Sequence, residues 1–188
     1  MGAPQDQKEI TMEKTLVLIR GIPGSGKTTL AKEISEGVII HPHFEADQFF
    51  TNPYSGTYTY RPELTKAAHQ YCQLLTMKAL VDEEPKAIVS NTFTQIWELE
   101  PYLDMAKNHG YKVEIVTVEG RYKNVHGVPD EKVRQMEQRF QSIIDLDAKY
   151  FDILTEWTKK AIQTTLFKDR LPVGPDGPVG PDGTPLVS

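Results

Sequence analysis

Thr15-Leu16-Val17-Leu18-Ile19-Arg20 runs directly into Gly21-Ile22-Pro23-Gly24-Ser25-Gly26-Lys27-Thr28. A short apolar run stopping at glycine has the pattern of a strand buried on both faces of a parallel sheet. The eight residues after it match G-x-x-x-x-G-K-[ST] in full, and Thr28–Glu36 then has helix-compatible composition up to Gly37. Strand, glycine-rich turn and helix are the context that gives this pattern chemical meaning. Gly24 and Gly26 allow backbone N–H groups to turn inward around phosphate oxygens without side-chain clash. The following helix adds the partial positive charge of its N-terminus. Lys27 is expected to reach the β and γ phosphates, and the Thr28 hydroxyl to ligate Mg²⁺. Gly24, Ser25, Gly26, Lys27, Thr28 and Thr29 are therefore expected to hold a nucleoside triphosphate.

Outward from this loop the chain alternates strand and helix. Val38–Ile40 is expected to begin a second strand running toward Asp47, and Pro62 to open a long helix with Leu64, Ala67, Ala68, Tyr71, Leu75 and Ala79 on one stripe. Lys86–Ser90 is a third strand, with a helix over about 95–108. Tyr111–Val118 is a fourth strand, and Pro129 starts a helix carrying Val133, Met136 and Phe140 at helical spacing. Residues 145–167 are expected to be helical. Such alternation predicts an α/β fold with a mainly parallel sheet covered by helices on both faces, and with the G-x-x-x-x-G-K-[ST] loop after its first strand it reads as a three-layer P-loop NTPase fold. Its ligand would sit at the carboxyl ends of the strands.

Composition sets outer bounds. The 188 residues carry 21 Lys+Arg against 26 Asp+Glu, a net charge of −5, which argues against attachment to DNA by bulk positive charge. A single cysteine, Cys72, fits a reducing compartment, and no apolar run approaches a membrane span. MGAPQDQKEITMEK lacks the layout of a signal peptide, and Asp6 stands where a myristoylation signal has Ser or Thr. A cytoplasmic location is expected. Residues 1–13 read as a flexible arm and 14–170 as the P-loop domain, with a lid at about 120–129. From Gly174 the tail (171–188) reads GPD-GPV-GPD-GTP. This collagen-like period is read as a Pro/Gly-rich disordered segment, with trimerisation as the alternative.

Several further residues bear on chemistry. A kinase must remove the acceptor proton, and a carboxylate after the second strand suits that task. Asp47 is the candidate base, with a helix-capping role as its alternative, and Glu45 falls on the same face by strand alternation. The stretch Phe49–Tyr60 holds five aromatic residues, among them Phe50, Tyr58 and Tyr60, which could stack on bases or fill the edge of the core. Arg61 could meet a phosphate or form a surface ion pair. The third strand ends in Ser90-Asn91-Thr92, where nucleoside triphosphatases often place an aspartate; Ser90 or Asn91 could orient a water instead. Arg121, Lys123 and His126 lie between a strand end and a helix, as in a lid over phosphates, with a solvated loop as the alternative, and Arg134 could face the same way. His41, His69, Cys72 and His109 lack metal-ligand spacing and read as structural.

With GIPGSGKTTLAKE after the first strand, Asp47 after the second, SNT after the third and KNVHGVPDEKVRQMEQRF beyond the fourth, residues 15–142 resemble the P-loop polynucleotide-kinase-like family, typified by the phage 5′-polynucleotide kinase domain. GTYTYRPELTKAAH and NVHGV are similar to a broader set of ATP-binding phage and animal proteins. The resemblance implies ATP and Mg²⁺ bound through Lys27 and Thr28, proton removal by Asp47, and lid charge from Lys123 and Arg121. Three departures bear on the acceptor: Phe50 replaces the arginine that grips a 3′-phosphate, Asn91 stands at the third-strand acid, and the lid is shorter. Phosphoryl transfer therefore carries over better than the nucleic-acid end. The expected function is an ATP- and Mg²⁺-dependent kinase acting on a hydroxyl of a nucleic acid or nucleotide, such as a 5′-hydroxyl or a hydroxymethylated base in DNA. The alternatives are a small-molecule kinase and a nucleotide-dependent switch with little catalysis.

Overall fold

The computed structural model describes residues 13–122, 127–169, 173–174 and 177–178. Four strands, β1 (Thr15–Arg20), β2 (His43–Phe44), β3 (Lys86–Ser90) and β4 (Lys112–Thr117), form one all-parallel sheet in the order β2-β3-β1-β4. β1 is central, with Leu16 beside Ala87 on β3 and beside Val113 on β4. Every side chain from Leu16 to Arg20 is buried, as a strand covered on both faces requires.

Alternation along β1 divides the core. Val17 and Ile19 face α1 (Lys27–Ser35) and pack with Ala31 and Ile88. Leu16 and Leu18 face the larger cluster, built with Ala68, Cys72 and Leu80 of α2 (Thr65–Val81) and Leu103 and Ala106 of α3 (Glu100–Asn108). Ile162 of α5 (Glu156–Asp169) joins the same cluster. Each fully buried leucine contributes about 2 kcal/mol by area removed from water. The expected three-layer α/β arrangement is what the residues build. The β1–α1 connection leads toward the β2 edge while β4 lies on the other side of β1, so a crevice opens at the carboxyl ends of the strands.

Three expected elements differ. Val38–Ile40 lies outside the sheet: all three side chains are exposed, and Ile40 makes only an isolated antiparallel bridge to Glu36. Proline explains the delay, since Pro42 has no N–H and enters the ladder only by accepting from Ile88 N at 2.9 Å. The buried stripe of α2 is Ala68, Cys72, Thr76, Ala79 and Leu80, whereas Tyr71 is exposed and meets the Phe49 ring edge-on at 5.7 Å. Residues 145–167 are not one helix. Short 3₁₀ turns at Ile143–Asp145 and Ala148–Tyr150 precede a bridge of Leu154 to Val113, which adds a fifth position to the sheet before α5 begins.

The helix expected over about 95–108 begins as a 3₁₀ turn, Ile96–Glu98, whose capping box joins Gln95 and Glu98. α4 (Asp130–Gln138) follows Pro129 and buries no residue fully. In the tail, β5 (Val173–Gly174) pairs antiparallel with β6 (Gly177–Pro178). The remaining tail and arm positions fall outside the described residues. No helix among the described residues is long and apolar enough to cross a membrane.

Candidate functional site

The phosphate-binding loop bridges β1 and α1. Gly24 and Gly26 have φ of 80° and 99°, left-handed values that disfavour side chains, and Gly26 caps α1. Gly21 is held for another reason: a Cβ there would lie 2.5 Å from both Ser25 Oγ and the Val118 carbonyl. From above, the Tyr122 N–H donates to Gly24 O at 2.8 Å, and its ring would lie 3.1 Å from a Cβ on Gly26. The segment after β4 therefore crosses directly over the loop.

A cleft of about 320 Å³ opens beside it, lined by Gly24, Gly26, Lys27 and Thr28 of the loop and by Glu45 and Asp47 after β2. Ser90 and Asn91 form its floor, Phe50, Tyr58 and Tyr60 one wall, and Lys132 and Met136 of α4 reach it from the other side. Lys27 Nζ donates to Ile22 O at 2.8 Å. Burial pushes its ammonium down to about 8, against the pull of Glu45 and Asp47. Of the other residues expected to hold ATP, Ser25 turns its buried side chain inward and Thr29 sits exposed on the first turn of α1.

The two carboxylates face different neighbours. Asp47 Oδ1 accepts from the Tyr58 hydroxyl at 3.1 Å. Burial first, and then the Asp47 charge, raises the Tyr58 phenol. Glu45 instead turns toward β3, where Ser90 Oγ donates to its Oε1 at 2.5 Å and His43 Nε2 stands 3.3 Å away. Burial would raise the Glu45 carboxyl, but hydrogen bonds from His43, Ser90 and Thr28 hold it below its ordinary value. Asn91 is occupied structurally, accepting from Ala46 N at 2.9 Å and donating to Cys72 Sγ at 3.6 Å.

The remaining expected residues separate. Phe50 is buried in the core and also lines the cleft, with edge contacts to Tyr58 and Tyr60 at 6.3 and 5.1 Å. Tyr60 is partly exposed and hydrogen-bonds Thr65. Arg61 is not brought to the cleft: its exposed guanidinium pairs with Glu63 at 2.9 Å. Arg121 is exposed and does not line the cleft, Arg134 pairs with Glu131, and Lys123 lies outside the described residues. His69, read as structural, lines the cleft from α2.

One residue escaped sequence reasoning. Arg20, at the end of β1, is completely buried and donates to Phe93 O at 3.1 and 2.8 Å and to Gln141 O at 2.8 Å. Its guanidinium lies over the Phe140 ring at 4.3 Å, and burial lowers it to about 10 despite the Glu98 charge. It ties the loop after β3 and the end of α4 to the root of the phosphate loop. A charged residue closing an apolar run looks like a solvated end, so no local signal marked it.

Loop, helix N-terminus and sheet order together define a P-loop nucleotide-binding fold. The model of the AAA domain family matches residues 16–141, and the chain belongs to that family. It is 32% identical over 144 residues to human NEDD4-binding protein 2, aligning over 70% of this chain but spanning only 8% of that protein's length. It is 30% identical over 137 residues to an uncharacterised protein of Pasteurella multocida, covering 65% of this chain and 74% of the relative. Among solved structures, a gluconokinase from Sinorhizobium meliloti superposes with a TM-score of 0.48 at 14% identity, over 85% of this chain and 99% of its own.

Proposed function

We propose that the protein is an ATP- and Mg²⁺-dependent kinase that transfers the γ-phosphate to a hydroxyl of a nucleic acid or nucleotide. The observation that carries this reading is the position of Asp47. Its carboxylate lines the same cleft as Lys27 and is oriented by Tyr58 beside the aromatic wall of Phe50 and Tyr60. A base stacked on that wall would bring its attached hydroxyl near Asp47.

The residues present fit a Mg²⁺–triphosphate. Thr28 offers a hard oxygen to the metal, and Lys27 offers a charge that burial has stripped of water. No group of three or more His, Cys, Asp or Glu that could cage a metal exists among the described residues, which suits a cation held largely by phosphate and water. Bound Mg²⁺ would neutralise phosphate charge. Asp47 takes the acceptor proton as the acceptor oxygen bonds to the γ-phosphorus; the bond from that phosphorus to the β,γ-bridging oxygen breaks, and ADP leaves. Lys27 and the loop N–H groups hold the charge on the phosphates. Of the described cations in or just beyond the expected lid, Lys132 lines the cleft and Arg121 does not.

The test is transfer from γ-labelled ATP with Mg²⁺ to 5′-hydroxyl DNA and RNA, with and without 3′-phosphate, to hydroxymethyluracil-containing DNA and to free nucleosides. Lys27→Ala serves as the blank. Label should enter one acceptor class, and Asp47→Asn should still bind ATP while losing transfer. Cold acceptors throughout, or undiminished transfer by Asp47→Asn, would overturn the reading. Phe50 and the neighbouring tyrosines that line the cleft also suit a compact small-molecule acceptor, a second reading that free nucleosides and small hydroxy compounds in the same panel would reveal.

A further inference from the structure

The end of β3 carries Ser90 and Asn91 where many P-loop proteins have an acid that holds metal-bound water. The structure shows what occupies that space. Glu45, from the segment after β2, extends to β3 and accepts the Ser90 hydroxyl proton at 2.5 Å. Ser90 has one proton, and giving it to Glu45 leaves its oxygen as the acceptor for His43, whose Nε2 lies 2.8 Å away. His43 therefore carries its proton on Nε2. Asn91 fixes the turn from the other side through Ala46 N, so the backbone bearing Glu45 is tied to β3 at two adjacent residues. Glu45 is held within reach of the Thr28 hydroxyl, and its side chain is only 14% exposed.

Position and partners distinguish this carboxylate from Asp47. Asp47 faces Tyr58 and the aromatic wall, whereas Glu45 faces the loop threonine and β3. We infer that Glu45 supplies, from β2, the metal-holding carboxylate that β3 lacks, and forms with Thr28 the protein's contribution to the divalent-cation site. Ser90 and His43 are positioning residues in this arrangement, since they orient the carboxylate and leave its second oxygen to the cation or its water. The inference rests on nucleotide binding by the loop but on neither the acceptor nor phosphoryl transfer.

The test is a Mn²⁺ titration followed by electron paramagnetic resonance, with the protein saturated in ADP. Glu45→Gln keeps an acceptor for Ser90 but removes the charge. It should weaken Mn²⁺ binding in the ternary complex by about tenfold or more, while ADP affinity without metal stays within about twofold or rises as repulsion falls. Wild-type Mn²⁺ affinity in this variant would overturn the inference. The double variant Glu45→Gln/Ser90→Asp moves the carboxylate to the end of β3 and should restore Mn²⁺ binding to within about threefold, because the acid regains the same space. Failure of that rescue also counts against it. Should Glu45→Gln fail to fold, Ser90→Ala keeps the carboxylate but frees its orientation, and should weaken Mn²⁺ binding several-fold; no change would overturn the inference. Glu45-dependent Mn²⁺ binding with no transfer to any acceptor would sustain this inference while refuting the kinase reading, and the opposite pair of results would do the reverse.

Discussion

Replacing Lys27 by methionine should stabilise the nucleotide-free protein while abolishing its binding of ATP. Lys27 is kept charged in a buried setting that lowers its ammonium from 10.5 to about 8, with desolvation the largest cause. At about 1.36 kcal/mol per pKa unit, the folded protein bears a cost of about 3 kcal/mol for holding that proton at neutral pH. Methionine removes this cost and also the bond to Ile22 O, worth about 1 kcal/mol, so a net gain of about 2 kcal/mol is expected at pH 7. The sign with pH follows from proton counts. Between about 8 and 10.5 the unfolded lysine holds its proton and the folded one does not, so wild-type stability rises through that window and the advantage of Lys27→Met shrinks. Urea unfolding of both proteins without nucleotide, at pH 7, 9 and 10, measures it. A variant less stable than wild type at pH 7, or a gap independent of pH, would refute the reasoning. With ATP present the order should invert, because only wild type gains binding energy.

Arg20→Met should cost about 2–4 kcal/mol, since it leaves the Phe93 and Gln141 carbonyls buried without their donor; urea unfolding measures it, and a loss under about 0.5 kcal/mol would contradict the role assigned to Arg20. Gly120→Ala would place a Cβ 2.5 Å from the Ser25 carbonyl and 2.6 Å from the Tyr122 ring. Backbone cannot yield as a side chain can, so calorimetry should show ADP binding weaker by about tenfold, equivalent to about 1.4 kcal/mol. Tyr58→Phe removes the hydroxyl that orients the Asp47 carboxylate, so kcat should fall about fivefold or more while ADP affinity is kept; an unchanged kcat would separate Tyr58 from the chemistry.

Much of the fold was legible because its signals are local. Apolar runs set β1, β3 and β4 within a residue of their observed ends, and the glycine–lysine–threonine pattern located the phosphate loop. β2 was misplaced because Val38–Ile40 has strand composition, yet Pro42 withholds the N–H that would let pairing begin sooner. The fifth sheet position at Leu154 is one bridge long and leaves no periodicity to detect. In the site, alternation brought Glu45 and Asp47 into view together, but their division between β3 and Tyr58 depends on tertiary contacts. Arg61 lies outside the cleft with its exposed guanidinium on Glu63, two residues on, a local pairing that composition alone does not separate from a phosphate contact. Arg20 was invisible for the converse reason: its acceptors are carbonyls from segments more than 70 residues away.

The chain's one cysteine makes the molecule a gauge of its own breathing. Cys72 lies in α2 with no exposed surface, holds the Asn91 amide, and has a thiol made less acidic by burial. A maleimide can reach it only when α2 lifts from the β3 floor of the cleft, so the alkylation rate tracks the population of that opened form. With no other thiol to compete, each labelled molecule records one such event. A nucleotide that braces the same floor should slow the clock in proportion to its hold, which turns binding at the cleft into a chemical rate readable by mass spectrometry.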